Sequence, residues 1–215
     1  MTPLAVYRSL LRELGPQGWW PVTHEGPGPS YHPGDYSFPR TQLQQWEICA
    51  GAILTQNTAW KNVEKALVNL RNAGIWSPEA ILEIQKRRLE QLINPSGFFR
   101  QKAERLRIFA EEVRERGVKA FLKKTSRDDL LSIKGIGPET ADSILLYAGK
   151  RPFFVVDAYT RRMFSFPKKM AYQEIQELFG RSFPKDWRIY NEFHALIVQK
   201  GKQGIPFLPQ AGKGR

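Results

Sequence analysis

Two features of the sequence carry the residue types that chemistry needs. One is the glycine-flanked turn Lys134-Gly135-Ile136-Gly137-Pro138-Glu139-Thr140. The other is the carboxylate Asp157, reached through Phe153-Phe154-Val155-Val156. Glycines let a backbone turn tightly and bring bare N–H groups close to another surface. Pro138 suits the first position of a helix, where a missing N–H costs nothing. A helix that starts there aims its N–H groups and its positive dipole end outward, which makes an anion site. Asp157 reads as the N-cap of a helix over Ala158-Tyr159-Thr160 and equally as a carboxylate at a cleft. The two roles are compatible, because helix N–H groups also keep a carboxylate ionised. Glu139 complements the same helix dipole electrostatically. Gln56-Asn57 forms a polar break between two apolar helical patterns, with Thr58 as a cap. Of the six tryptophans, Trp19 and Trp20 lie outside any helical period and Trp46 lies in the helix leading to Gln56. Trp60, Trp76 and Trp187 fit helix or turn positions and read as core.

The elements that must position these residues are helical. Thr2-Pro3 opens a helix with Leu4, Tyr7, Leu10, Leu11 and Leu14 on one face, and Gly15-Pro16 ends it. Residues 22–40 are rich in Gly and Pro and read as a long loop. Thr41-Gln42-Leu43-Gln44 has the form of a capping box before Trp46, Ile48, Cys49, Ile53 and Leu54. A second helix carries Trp60, Val63, Leu67 and Leu70. Short helices follow at Ser77-Pro78-Glu79 and around 89–93. A longer one runs through Ala103, Leu106, Phe109, Ala110 and Val113, and a short piece spans 118–122. Ser126 caps the helix before the Gly-x-Gly turn, and Gly149 closes the helix after it. Helices near 158–164, 172–179 and 186–200 complete the chain, and the tail from Gly201 reads as loose. Only 153–156 could pass as a strand. The pattern predicts an all-α fold of about ten helices.

Composition narrows the partners. The chain has 215 residues, 33 Lys and Arg against 21 Asp and Glu, and a net charge of +12, which favours a polyanionic partner. Its one cysteine, Cys49, permits no disulfide framework and no cysteine-held iron–sulfur or zinc cluster. No apolar run reaches the length of a membrane span, and the N-terminus lacks a basic segment leading into a signal-peptide core. An intracellular protein of cytoplasm or nucleoid, with no membrane partner, is the expectation.

The stretch Ile133-Lys134-Gly135-Ile136-Gly137-Pro138-Glu139-Thr140-Ala141, followed by Val156-Asp157, resembles the helix–hairpin–helix motif of the endonuclease III superfamily of DNA glycosylases. The family pattern is Leu-Pro-Gly-Val-Gly-Arg-Lys-Thr-Ala with a later Val-Asp, and the spacing is preserved. The segment from Trp46 to Thr58, with Gln17-Gly18-Trp19-Trp20-Pro21, looks like the endonuclease III-like 3-methyladenine DNA glycosylases. The resemblance covers nearly the whole chain apart from the 22–40 loop, for which it offers no counterpart.

It implies two helical lobes with a DNA-binding cleft between them. Residues 41–151 would form a six-helix lobe containing the hairpin motif at 130–149. Residues 1–40 and 152–215 would form the other. Asp157 matches the family's catalytic Asp. Lys134 to Thr140 would hold the DNA backbone, and Gln56, with Asn57, would fill the gap left by a flipped nucleotide. Trp19, Trp20 and Trp46 would line the base pocket. The backbone carbonyls of Leu131, Ile133 and Ile136 would hold an alkali cation, as in family members. Bifunctional members carry a nucleophilic Lys where this chain has Glu139, so the departure points to a monofunctional enzyme that leaves the abasic site uncut. The helix around Glu192–Lys200 runs on without the family's cluster cysteines, so no iron–sulfur cluster and no other cofactor is expected. His194 reads as an internally bonded residue. The expected partner is double-stranded DNA carrying damaged bases, bound by a monomer. The activity implied is base excision, with alkylated purines such as 3-methyladenine as substrates. Oxidised or deaminated bases are the alternative substrates, and a non-catalytic damaged-DNA-binding protein is the alternative of a different class.

Overall fold

A computed structural model of the chain describes residues 2–204. It is helical, and its one β-feature among the described residues is the isolated bridge between Val22 and Ser30. The expected all-α class holds, and the outer boundaries follow local chemistry. Helix α1 (Pro3–Leu14) starts behind the Thr2 cap and stops at Gly15. Helix α2 (Gln42–Leu54) opens with the capping box: Thr41 Oγ1 accepts the Gln44 N–H at 3.2 Å, and Gln44 Oε1 accepts the Thr41 N–H at 3.3 Å. Then come α3 (Trp60–Asn72), α4 (Pro78–Glu83), α5 (Lys86–Ile93), a 3-10 turn at Asn94–Ser96, α6 (Phe99–Arg114), α7 (Val118–Lys124) and α8 (Arg127–Ser132). Helix α9 begins with Pro138 at its first position, runs to Ser143, and widens into a π-turn over Ile144–Ala148. The end of the chain supplies α10 (Ala158–Met163), α11 (Tyr172–Ser182) and α12 (Trp187–Lys202). Residues 153–156 form no strand. Of the loose tail expected from Gly201, residues 201 and 202 still belong to α12, and the part from 205 lies outside the described residues.

Helix α2 is the centre of the packing. Every residue from Trp46 to Leu54 is buried, because α3, α6, α7, α9 and the π-turn surround it. A helix covered on all sides has no polar stripe. From the N-terminus, α1 packs on α11 and α12, so the first and last described helices meet in one cluster. That cluster is aromatic: Phe154 stacks on Phe179 at 4.1 Å, and Phe193 lies edge-on or tilted to Phe179, Phe183 and Tyr7. It fixes the segment that ends in Asp157.

A side-chain network ties this segment to the hairpin. Arg127 on α8 grips Asp142 on α9 through Nε to Oδ1 (2.7 Å) and Nη2 to Oδ2 (3.1 Å). Gln176 of α11 donates both to Asp142 Oδ2 (2.8 Å) and to the Phe154 carbonyl (2.9 Å). The hairpin and the Asp157 segment therefore hold one mutual position.

Candidate active site

Gly135 turns the chain between α8 and α9 at φ +89°, a backbone conformation that suits glycine. A methyl group there would lie 2.5 Å from Arg105 Cγ, so the Arg105 side chain of α6 packs directly over the turn. Gly137 has ordinary extended backbone and only open space beside it. Lys134 is exposed and pairs with Glu104 at 2.8 Å.

Gln56 is not free at the surface. Its Nε2 donates to the Gly135 carbonyl (3.1 Å) and to Thr140 Oγ1 (2.9 Å), and its Oε1 accepts from Arg105. Asn57, next to it, is exposed at φ +54°. The buried Lys102 ammonium donates to the Leu54 carbonyl (2.8 Å) and the Ser96 carbonyl (2.6 Å). Burial, with Arg105 near, lowers its pKa to about 8. This bond joins the end of α2 to the turn that presents Phe98, an aromatic 64 % exposed at φ +45°. No helical period marks Phe98 or Arg105 as special, and the sequence reading missed both. Of the three carbonyls matched to an alkali cation, that of Ile133 already accepts the Ile136 N–H at 3.0 Å, which leaves it one lone pair.

A cavity of about 870 Å³ gathers residues from six separate stretches of chain. Trp19, Trp20 and Tyr31 form one wall. The α2–α3 turn from Thr55 to Trp60 forms another, and Glu139, Asp157 and His194 lie on the remaining sides. The first wall is held from behind. Asn191 of α12 donates to the Trp19 carbonyl (2.8 Å), and His32 Nε2 lies 2.9 Å from the Trp20 carbonyl. Gly18, at φ +68°, fits against the His32–Pro33 backbone, where a side chain would collide at 2.3 Å. The 22–40 loop is thereby fastened to the cavity, and its Tyr31 ring sits 6.1 Å from Trp19.

Two expectations about tryptophan are corrected. Trp46 does not line the cavity. It is 1 % exposed and stacks on Phe109 of α6 at 6.0 Å, because its position on α2 faces α6. Trp60, read as core, does line the cavity, meeting Trp20 edge-on at 5.3 Å. Trp60 shares the α3 face of Val63 and Leu67, which are fully buried and do not line the cavity.

Asp157 caps α10, its Oδ1 accepting the Thr160 N–H at 2.7 Å. Its Oδ2 lies 3.6 Å from Nε2 of His194. Burial pushes the carboxyl pKa up. His194 and the Thr160 N–H outweigh that, and the net position is below the usual carboxylate range. Glu139 is shifted the other way, by desolvation and by repulsion from Asp157. The site thus holds one carboxylate kept ionised and a second disposed to take up a proton. Lys202, from the end of α12, places its ammonium 5.5 Å over the Trp19 ring, and burial lowers its pKa.

Residues 50–184 match the HhH-GPD superfamily of base excision DNA repair proteins. A protein of Methanocaldococcus jannaschii, provisionally named a DNA repair glycosylase, is 42 % identical over 209 residues, 92 % of this chain and 86 % of that one. Endonuclease III of Thermotoga maritima is 27 % identical over 175 residues, 77 % of this chain and 78 % of its own. Among solved structures, the 3-methyladenine DNA glycosylase of H. pylori bound to 1,N6-ethenoadenine superposes with a TM-score of 0.75 at 26 % identity, covering 95 % of this chain and 99 % of that one. An endonuclease III–DNA complex shares the fold at a TM-score of 0.71 and 16 % identity, over 98 % of this chain and 91 % of that one.

Proposed function

The chain belongs to the HhH-GPD superfamily of base excision DNA repair proteins, a DNA glycosylase family, and within it we propose a monofunctional enzyme that hydrolyses the N-glycosidic bond of a flipped-out alkylated purine such as 3-methyladenine. The observation that carries this reading is Asp157, ionised at the side of an aromatic cavity and held in one position relative to the hairpin. Cleavage of the bond builds positive charge on the deoxyribose, and a fixed carboxylate stabilises that charge and orients water.

DNA is bound by the hairpin, where Gly137 leaves open space for a phosphate to approach the backbone. Gln56 and Asn57 meet the gap left in the duplex, and Lys134 adds charge nearby. The cleft runs between the 41–151 lobe and the lobe made by both chain ends. The base enters between Trp19, Trp20, Tyr31 and Trp60, where indole faces favour an electron-poor, cationic ring. The structural similarity to the H. pylori 3-methyladenine enzyme supports that choice. Glu139 stands where a Schiff-base lysine would be needed, and the chemistry described uses no cofactor. The enzyme works as an intracellular monomer. An alkali cation on the carbonyls of Leu131, Ile133 and Ile136 would steady the hairpin.

Lys202 favours a second reading. An ammonium over Trp19 competes with a cationic base and offers donors to a carbonyl edge, as an oxidised or deaminated base presents. The deciding experiment is base release from duplexes that each carry one defined lesion, with products examined before and after alkali. Release of 3-methyladenine with strand breaks only after alkali supports the first reading. Release confined to oxidised or deaminated bases supports the second. Breaks before alkali, with a borohydride-trapped adduct, refute the monofunctional assignment. Salt-sensitive binding with no release from any lesion leaves a damaged-DNA-binding protein.

A further inference from the structure

His194 sits on α12, 5 % exposed, with its two ring nitrogens in different surroundings. Nδ1 is in short hydrogen-bond contact with the hydroxyl of Tyr147. Nε2 is buried, has no hydrogen-bond partner within normal distance, and faces Asp157 Oδ2 at 3.6 Å. Tyr147 lies in the π-turn that ends the hairpin's second helix and is itself 1 % exposed. The π-turn follows directly on α9, so the Tyr147 position is set by the hairpin. Resting on the assignment of Asp157 as the reactive carboxylate, we infer that Tyr147 and His194 form a positioning relay that fixes Asp157 Oδ2 and couples it to the hairpin.

The direction of the relay follows from its chemistry. The Tyr147 phenol is deeply buried beside Asp157 and Glu192, and all three causes hold its proton on. A phenol that keeps its proton donates to Nδ1. A neutral imidazole whose Nδ1 accepts must carry its hydrogen on Nε2, the atom that faces Asp157. Asp157 is then bonded at Oδ1 by the N-terminus of α10, while the imidazole N–H directs its positive end at Oδ2 from 3.6 Å. The titratable groups that face His194 are Asp157 from the start of α10 and Tyr147 and Glu139 from the hairpin's second helix. Glu192, on its own helix, is taken up by the Gln17 N–H (2.7 Å) and the Tyr36 hydroxyl (2.7 Å). Phe154 closes the apolar side at 6.5 Å between ring centroids. A hairpin that shifts on a DNA backbone would move Tyr147, and through His194 the carboxylate.

The test combines nitrogen NMR of the ring with kinetics. In protein labelled with 15N-histidine, the three histidines are assigned with His194→Gln. The expected result is a His194 ring with hydrogen on Nε2 and none on Nδ1 near neutral pH, a preference lost in Tyr147→Phe. Single-turnover release of 3-methyladenine should fall by up to about 100-fold in both variants, the cost of misplacing a reacting group by about 1 Å. DNA affinity should not change. The acid limb of the rate profile should move to higher pH, because Asp157 protonates more readily once His194 no longer supports its charge. Hydrogen on Nδ1, or an unmoved acid limb in a folded Tyr147→Phe protein, overturns the relay. If the wild type releases no base from any lesion, the proposed function fails, and the ring tautomer still decides the relay.

Discussion

Replacing Asp157 with Asn separates the two roles of this residue. Asn is as good an N-cap as Asp, and its side-chain oxygen can still accept the Thr160 N–H that Oδ1 accepts at 2.7 Å. Lost are the charge beside the α10 N-terminus, worth about 0.3–1 kcal/mol, and the attraction to His194. Removing a buried charge relieves desolvation in the other direction. The net stability change should stay within about 1 kcal/mol, a shift of roughly 2–4 °C in Tm for a chain of this size. Chemistry should suffer far more. A carboxylate about 4 Å from a developing cation, at an effective dielectric of about 20, contributes about 4 kcal/mol. That corresponds to about a thousandfold in rate. Single-turnover base release, fluorescence anisotropy on the same duplex and a thermal melt measure the three quantities. Release at the wild-type rate by the folded Asn variant would refute the electrostatic role. So would a loss of rate no larger than the loss of folded protein.

Four further outcomes are expected. Trp46→Ala should cost about 3–5 kcal/mol of stability by opening a cavity against Phe109. Trp60→Ala should weaken base release at near-normal duplex affinity, and a melt paired with release kinetics distinguishes the two variants. Gly135→Ala should destabilise by roughly 1–2 kcal/mol, since φ +89° strains a side chain that also displaces Arg105, and its DNA affinity should fall in binding titrations. Glu47, buried under the Thr23 N–H and hydroxyl, has its pKa raised to about 7, chiefly by desolvation. The folded state then binds more protons than the unfolded one between about pH 4.5 and 7. Its contribution to stability should fall as pH rises through that window, by at most about 3 kcal/mol, and should level off above it. Denaturant melts of wild type and Glu47→Gln across pH 4–8 check this, the variant lacking that slope.

Much of the site was legible because its signals are local. Pro138 after Gly-x-Gly, the Thr41 capping box and Asp157 before Ala158 each act within a turn of chain, and each lies where its local chemistry requires. The two tryptophan corrections have a common cause. Trp46 sits on a helix buried all round, and Trp60 on the apolar face of α3. Periodicity says that such residues are covered without saying by what. Tyr31 lies in a loop with no period at all, and only the His32 and Gly18 contacts bring it to the cavity. Tyr147 is one more apolar-side residue in Ile144-Leu145-Leu146-Tyr147-Ala148, and its hydroxyl acquires meaning only from His194 across the fold.

The tethered carbonyls of Trp19 and Trp20 have a consequence for selection among bases. A side chain that must be immobilised when a guest arrives costs about 0.5–1.5 kcal/mol of entropy. Here that ordering is already done. Asn191 and His32 fix the backbone, and the Trp20 indole lies against Gly51, where an added methyl would come within 3.3 Å of it. Such a wall binds what fits without waiting for it to rearrange, and it cannot mould itself around what does not. Discrimination then rests on shape at the moment of entry. Widening the range of accepted bases would require loosening these tethers before enlarging the cavity.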